Sequence, residues 1–518
     1  MTVRTRFWRA RKARKTLLAI LVAAALAVSG LLASTGAAAP ARAATQEPCD
    51  IYSAAGTPCV AAHSTTRALY AAYNGPLYQV KRTSDGATTN VSTLSAGGYA
   101  NAATQDSFCA GTYCTITEIF DQSGRGNNLT IGPAGGAGAA DIGANAAALP
   151  VTAGGHKVYG VFISPGMGYR NDHTSGIATG DAAEGEYAVF DGSHFDAGCC
   201  FDYGNAETSN TDTGNGHMEA IYFGNIKVWG FGSGNGPWIM ADLENGLFSG
   251  QAAGLNSGDP TITSRFVTAI VKGEPNQWSI RGGNAQSGGL STFYSGVRPS
   301  GYNPMHKEGA ILLGVGGDNS NSSAGSFYEG VMTSGYPSDA TENSVQANVV
   351  AVGYTASNST PFTSGARVSI QATTACCTAD YITHDDSDTK VVLDAITSSS
   401  SSTLKGDATW IVHAGLANSA CVSFESANKS GFYIRHSGFQ LFLNSNDGSA
   451  LFANDATFCP RAGNSGSNYS LMSNNYSNKY IRHFNFTGYV ASDGGSNTWD
   501  SATLWAQDTT WASASPWA

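Results

Sequence analysis

The 518-residue chain carries 28 Lys+Arg against 38 Asp+Glu, a formal charge of −10, and only 13% of its residues are charged while glycine numbers 63. An acidic, weakly charged chain makes nucleic acid and anionic membrane poor partners. So much Gly with Ser, Thr, Asn and Ala is the texture of a turn-rich β protein with a neutral, hydrogen-bonding surface suited to neutral polar ligands; disorder is the competing reading, but 22 Tyr, 22 Phe and 9 Trp supply apolar area for a core.

The first residues carry Arg4, Arg6, Arg9, Arg11, Lys12, Arg14 and Lys15, followed by an apolar run from Leu17 to Ala33 and the triplet Ala41-Arg42-Ala43. This is the pattern of a secretory signal peptide over residues 1–44, with a mature start near Ala44 or Thr45. A membrane anchor fits less well, because the run is short and broken by Ser29 and Gly30. Removing it takes away eight of the 28 Lys+Arg and no acid, moving the charge to about −18. The expected product is extracellular and monomeric.

Ten cysteines in an exported chain argue for disulfides, and the spacing favours local pairs: Cys49–Cys59, Cys109–Cys114, Cys199–Cys200 and Cys421–Cys459, with the state of Cys376-Cys377 open. Zinc is the alternative, yet no C-x-x-C or H-E-x-x-H segment occurs, so neither metal nor cofactor is expected.

Helices are predicted near Thr65–Tyr73 and Ala340–Val349. Short alternating or apolar runs at Lys157–Ile163, Met218–Phe223, Trp238–Phe248, Phe266–Val271 and Ala310–Val315 read as strands of a large β-sandwich. The predicted organisation is all-β: a sandwich over 45–355, a linker over 356–366 within the unpatterned stretch Tyr354–Ala366, and a second domain over 367–518.

That second domain repeats itself. Tyr381-Ile382-Thr383-His384 precedes Asp407-Ala408-Thr409-Trp410, Tyr433-Ile434-Arg435-His436 precedes Asp455-Ala456-Thr457-Phe458, and Tyr480-Ile481-Arg482-His483 precedes Asp508-Thr509-Thr510-Trp511. Three strand-rich units of roughly 50 residues imply the threefold pseudo-symmetry of a β-trefoil. Tyr, Ile and Trp read as core positions. His and Asp read as donor and acceptor for ligand hydroxyls, with turn capping as the alternative for Asp.

In the sandwich, Gly236–Gly246 contains Trp238, Met240, Asp242 and Glu244 at alternate positions, which on a strand would share one face opposite Ile239, Ala241 and Leu243. Two carboxylates beside an indole make a sugar-binding wall, or an ordinary solvated strand face. Gly316-Gly317-Asp318-Asn319 after a strand places an Asp at a rim where backbone can approach a ligand, though a turn explains it equally. A bridge between adjacent Cys199 and Cys200 would close a strained ring, since neighbouring Cα atoms lie about 3.8 Å apart, and such strain is usually kept at functional sites. Gly230–Gly236 lacks the following helix of a nucleotide loop and reads as sandwich turns.

The blocks Gly198–Glu207, Gly214–Ala220, Ala241–Gly246 and Gly316–Asn319 resemble the α-L-arabinofuranosidases of glycoside hydrolase family 54, joined to a family 42 carbohydrate-binding trefoil. The resemblance implies a retaining mechanism with Glu244 as nucleophile and Asp318 as acid/base, their carboxyl groups about 5–5.5 Å apart. It places Cys199, Cys200, Trp229, Asp242, Asn245 and Gly317 around the sugar. In the trefoil it points to His436 with Asp455 and His483 with Asp508; His384 with Asp407 is a further candidate, although Thr383 stands where the other units have Arg435 and Arg482. The implied partners are arabinose-containing plant cell-wall polysaccharides such as arabinoxylan and arabinan. A β-D-xylosidase using the same site and a non-catalytic polysaccharide-binding lectin are the rival readings.

Overall fold

The computed structural model describes residues 46–357 and 360–518; the expected signal peptide and its cleavage site lie outside the described residues. Two antiparallel sheets pack face to face. In one, strands Ser291–Gly296, Gln277–Asn284, Phe266–Glu274, Glu184–Phe195, Gly325–Ser334, His156–Ile163, Leu149–Ala153 and Thr355–Ala356 lie in that order, with Cys59–Ser64 also paired to Gly325–Ser334. The other runs from Leu247–Phe248 through Trp238–Asp242, Glu219–Gly224, Asp202–Ala206, Ala310–Leu313, Tyr169–Asn171, Leu129–Ile131, Cys114–Ile119 and Pro76–Arg82 to Thr88–Ser92. Inward residues such as Tyr187, Val189, Phe201, Tyr203, Ile221, Ile239, Ala241 and Phe327 fill the space between the sheets, as alternation on β-strands requires. Within this core the Arg67 guanidinium forks onto both carboxylate oxygens of Glu329 at 2.6 Å, an ion pair almost wholly removed from water.

The predicted Thr65–Tyr73 helix is absent. Ser64 Oγ accepts the backbone N–H groups of Thr66 and Arg67, and the segment bonds laterally to Gly98 and Ala100 rather than to itself. A hydroxyl that supplies a local partner competes with the first helical turn. Short helices form instead at Pro48–Ala54 and Ala102–Phe108. The helix expected at Ala340–Val349 spans Asp339–Val352; Ser338 caps its start, and Gly353 in a left-handed conformation closes its end.

Trp238–Phe248 is not one strand. It breaks into Trp238–Asp242 and Leu247–Phe248, because Glu244 (φ 61°) and Asn245 (φ 55°) adopt left-handed conformations in a tight turn closed by Leu243 N–H to Gly246 O at 3.1 Å. Gly230–Gly236 supplies a short strand, Gly230–Ser233, paired in parallel with Gly254–Pro260, as well as a turn. Tyr354, expected at the start of the link, is buried, and its hydroxyl donates to Glu329.

The C-terminal region is a β-trefoil. Each unit contributes four strands, and a short helix precedes the fourth: Ser402–Asp407, Ala450–Asp455 and Trp505–Asp508. Ile382, Ile434 and Ile481 meet Trp410, Phe458 and Trp511 in the common core, and the two indoles donate to the carbonyls of Ile382 and Ile481. The trefoil seats against the sandwich where Asn145 donates to the Tyr480 hydroxyl and to Ser477 O, both at 2.7 Å. Five disulfides form: the four expected pairs and Cys376–Cys377.

Candidate active site

The strand Asp202–Ala206 lies between Glu219–Gly224 and Ala310–Leu313, and Glu219–Gly224 pairs in turn with Trp238–Asp242. Gly204, Ala220 and Asp242 stand in cross-strand register. Cys199–Cys200 leads into the first of these strands, and the Gly316–Asn319 turn follows the third. The predicted pocket residues therefore come from separate parts of the chain to neighbouring strands and turns of one sheet.

Cys200 packs with Tyr222, Trp238, Met240 and Leu247, and half-buried Cys199 and Trp229 lie against that cluster. Cys200 Sγ is 3.4 Å from Asp242 Oδ2. The other Asp242 oxygen accepts the Glu244 N–H at 3.0 Å, and the Tyr302 hydroxyl donates to the Glu244 carbonyl at 3.0 Å. Because strand alternation stops at Asp242, Glu244 is positioned by this turn and not by a strand face. Asn245 is exposed, and its amide donates to Asp212.

Gly317 is the contact that unites the turns. A β-carbon built on it would fall 2.6 Å from Glu244 Oε2 and 2.1 Å from Glu207 Oε2, so only glycine lets the two carboxyls come this close to the backbone. Asp318, next in the chain, is half-buried, and its Oδ1 accepts the Ser320 N–H at 3.0 Å. The buried Arg170 guanidinium braces the arrangement, donating to Gly317 O at 2.6 Å, to the Glu207 backbone carbonyl and to Asp172.

Burial, with Glu207 hydrogen-bonded beside it, holds the Glu244 carboxyl well above the usual range. Burial also raises Glu207, Asp202 and Asp242, the last to about 7. Sequence reasoning did not single out Asp202, Glu207 or Arg170; Asp202 and Glu207 had membership of the unusual 198–207 block as their signal, and Arg170 had none.

In the trefoil each early His lies 3.2–3.5 Å from its late Asp, and a third side chain bonds to both. His384 Nε2 is 3.1 Å from Asn428 Oδ1, and Asn428 donates to Asp407 at 2.6 Å. The second unit repeats this with His436, Asn475 and Asp455 at 3.0 and 2.9 Å, and the third with His483, Thr374 and Asp508 at 2.9 and 3.0 Å. Arg435 and Arg482 each donate to their unit's Asp, whereas Thr383 donates to Asp394 instead. Around His436 stand Phe439 and Tyr476. At the corresponding places the third unit has exposed Phe486 and Ala375, and the first has Thr389 and Lys429, the latter paired with Asp386.

A β-sandwich that gathers carboxyls around a vicinal disulfide and an indole, joined to a trefoil with three polar triads, defines a carbohydrate-active hydrolase carrying a sugar-binding module. The family profile "Alpha-L-arabinofuranosidase B, catalytic" matches residues 48–355, and "Alpha-L-arabinofuranosidase B (ABFB) domain" matches 370–513. An alpha-L-arabinofuranosidase of Hypocrea jecorina is 61% identical over 471 residues, covering 89% of this chain and 94% of the relative. An arabinofuranosidase/B-xylosidase of Trichoderma koningii matches with the same identity and coverage. A solved arabinofuranosidase complexed with arabinofuranosyl-alpha-1,2-xylobiose superposes with a TM-score of 0.83 at 57% identity, covering 91% of this chain and all of that one. The chain belongs to the alpha-L-arabinofuranosidase B family, and its activity is that of a glycoside hydrolase acting on α-L-arabinofuranosides.

Proposed function

We propose that the chain is secreted and releases terminal non-reducing α-L-arabinofuranosyl units from arabinoxylan, arabinan and related polysaccharides, with retention of configuration. The observation that carries this reading is the convergence at Gly317: the Glu244 carboxylate rests against that residue, and Asp318 is its neighbour in the chain. In the first step a Glu244 oxygen bonds to the anomeric carbon while the bond to the glycosidic oxygen breaks, and Asp318 gives its proton to that oxygen. In the second, water attacks the same carbon, its proton passes to Asp318, and the ester to Glu244 breaks. Cys199–Cys200 and Trp229 would cover the apolar side of the furanose while Asp242, Asn245 and the Gly317 backbone hold its hydroxyls.

Secretion is supported by the N-terminal pattern and by five disulfides; no helix among the described residues is long and apolar enough to cross a membrane. The second and third trefoil units are proposed to hold arabinose on His436 with Asp455 and on His483 with Asp508. The first unit offers a weaker place on His384 with Asp407, because Thr389 and Lys429 stand where the second unit has aromatic rings. β-D-xylosidase activity in the same site is the second reading, favoured by the name of the Trichoderma koningii relative.

The test is hydrolysis of an aryl α-L-arabinofuranoside followed by NMR of the first-formed product anomer. The α-anomer is expected, with loss of at least about 10³-fold in kcat for Glu244→Gln; an initial β-anomer would refute retention. A parallel aryl β-D-xyloside decides the second reading.

A further inference from the structure

The carboxyls nearest the proposed nucleophile are short of hydrogen-bond donors. Asp202 and Glu207 have no exposed surface, and among the described residues no side-chain donor reaches any of their four carboxyl oxygens, the Glu207 backbone N–H being the one donor at hand. Each instead lies beside a second carboxyl: Glu207 Oε2 and Glu244 Oε2 converge on one point beside Gly317, with a hydrogen bond between them that raises Glu244 and lowers Glu207, and Asp202 has the Asp242 carboxyl beside it. Arg170 is the cation at hand, but its donors are spent on Gly317 O, the Glu207 backbone carbonyl and Asp172. The other charged groups acting on the Glu207–Glu244 pair are Asp242, Asp212 and Glu308, all acidic. Two buried carboxylates cannot both stay ionised at hydrogen-bond distance without a cation between them. A single proton bridging them satisfies one oxygen of each and leaves the pair with one negative charge.

We infer that Glu207 is the member of the pair that holds the proton in the reacting complex, donating its carboxyl O–H to the Glu244 carboxylate and thereby acting as the positioning residue for the nucleophile. The inference rests on the reading of Glu244 as nucleophile: in the empty site burial favours the proton on Glu244, and attack requires Glu244 ionised, so the shared proton passes to its partner when the sugar binds. Glu207 is suited to that task because it is fully buried behind Gly317, whereas Glu244 retains some exposure. When Glu244 forms its ester the negative charge of the pair is consumed, and Glu207 keeps its proton throughout both steps, so no further acid or base is needed. Asp202 beside Asp242 repeats the arrangement one strand end away.

The experiment compares Glu207→Gln and Glu207→Leu in the full chain. It reads kcat/KM for an aryl α-L-arabinofuranoside across pH, with thermal unfolding as the check on folding. The glutamine variant still offers an N–H donor, so activity within about tenfold of the parent and an acid limb within about half a pH unit are expected. The leucine variant removes the donor; kcat/KM should fall about 10²–10³-fold, and the acid limb should move up by about one unit or more, because a buried carboxylate without its donor takes a proton more readily. An acid limb that moves down in either variant would mean that Glu207 is an ionised, repelling neighbour, and one that stays put in folded Glu207→Leu would mean that the residue only fills space; both overturn the inference. Should Glu207→Leu fail to fold, Glu207→Met, an unbranched side chain of similar length without a donor, takes its place and is read by the same outcomes. Azide rescue of Glu244→Ala, run in parallel, separates failure of this inference from failure of the nucleophile reading beneath it.

Discussion

Asp242 Oδ1 accepts the backbone N–H of Glu244 at 3.0 Å, so the last residue of one strand sets the turn that aims the next carboxyl. Its second oxygen lies against the Cys199–Cys200 disulfide. Asp242→Ala should lower kcat/KM by about 10²-fold or more, as loss of one well-placed polar group in a closed site does. Asp242→Asn keeps an acceptor for the Glu244 N–H and should lose less. Steady-state kinetics of the two variants check the order.

Gly317→Ala tests the close approach directly. The added methyl must displace the Glu207 and Glu244 carboxyls, since its 2.1 and 2.6 Å contacts are closer than van der Waals packing allows. A fall in kcat of about 10²-fold with thermal stability nearly retained is expected, because misplacement of about 1 Å at the reacting centre costs that much.

Stability should be greatest in mildly acidic solution. Asp259 has no exposed surface and a single donor, Ser249 Oγ at 2.7 Å; burial pushes its carboxyl up to about 7. The folded protein therefore holds this proton where the unfolded chain has lost it. The contribution is complete below the unfolded value of 3.8 and disappears as pH rises toward 7. Asp141, raised by burial to about 6, behaves likewise. Glu219 runs the other way: burial works to raise it, but Arg298 and Lys307 outweigh burial and hold it at about 2, so its contribution is lost as pH falls below about 4.5. The melting temperature is expected to peak near pH 4–5, as the window between those titrations requires. Asp259→Asn should flatten the decline toward neutral pH, as calorimetry across pH would show.

Arabinose titration of Asp455→Ala/Asp508→Ala in the full chain should leave residual binding at least about tenfold weaker than the parent's. The first unit retains its His384–Asn428–Asp407 chain but has Lys429 paired with Asp386 where the second unit has Tyr476. Stacking against a ring is worth about 1 kcal/mol or more. No residual binding would exclude the first unit as a sugar site.

Much of the fold was legible because local pattern and global packing agree. Recurrence of Ile382, Ile434 and Ile481 reports the trefoil core, since three equivalent units must bury the same position. Ile239, Ala241 and Leu243 do face the core as alternation predicts. Reading failed where a side chain overrode the local pattern: at Thr65–Tyr73, where Ser64 captures two backbone donors, and at Glu244, where a left-handed turn ends the strand two residues early.

The sequence by itself determined the β class, the threefold repeat, four of the five cysteine pairs and, through its unusual blocks, the family, because these depend on contacts between near neighbours or on motifs that survive as strings. Only the tertiary structure decided that Glu207 and Asp202 stand behind Glu244 and Asp242, and that Arg170 ties Gly317 to the Glu207 backbone. Those relationships join residues from separate strands, and their cost or benefit exists only once burial has removed the water that would otherwise satisfy each charge.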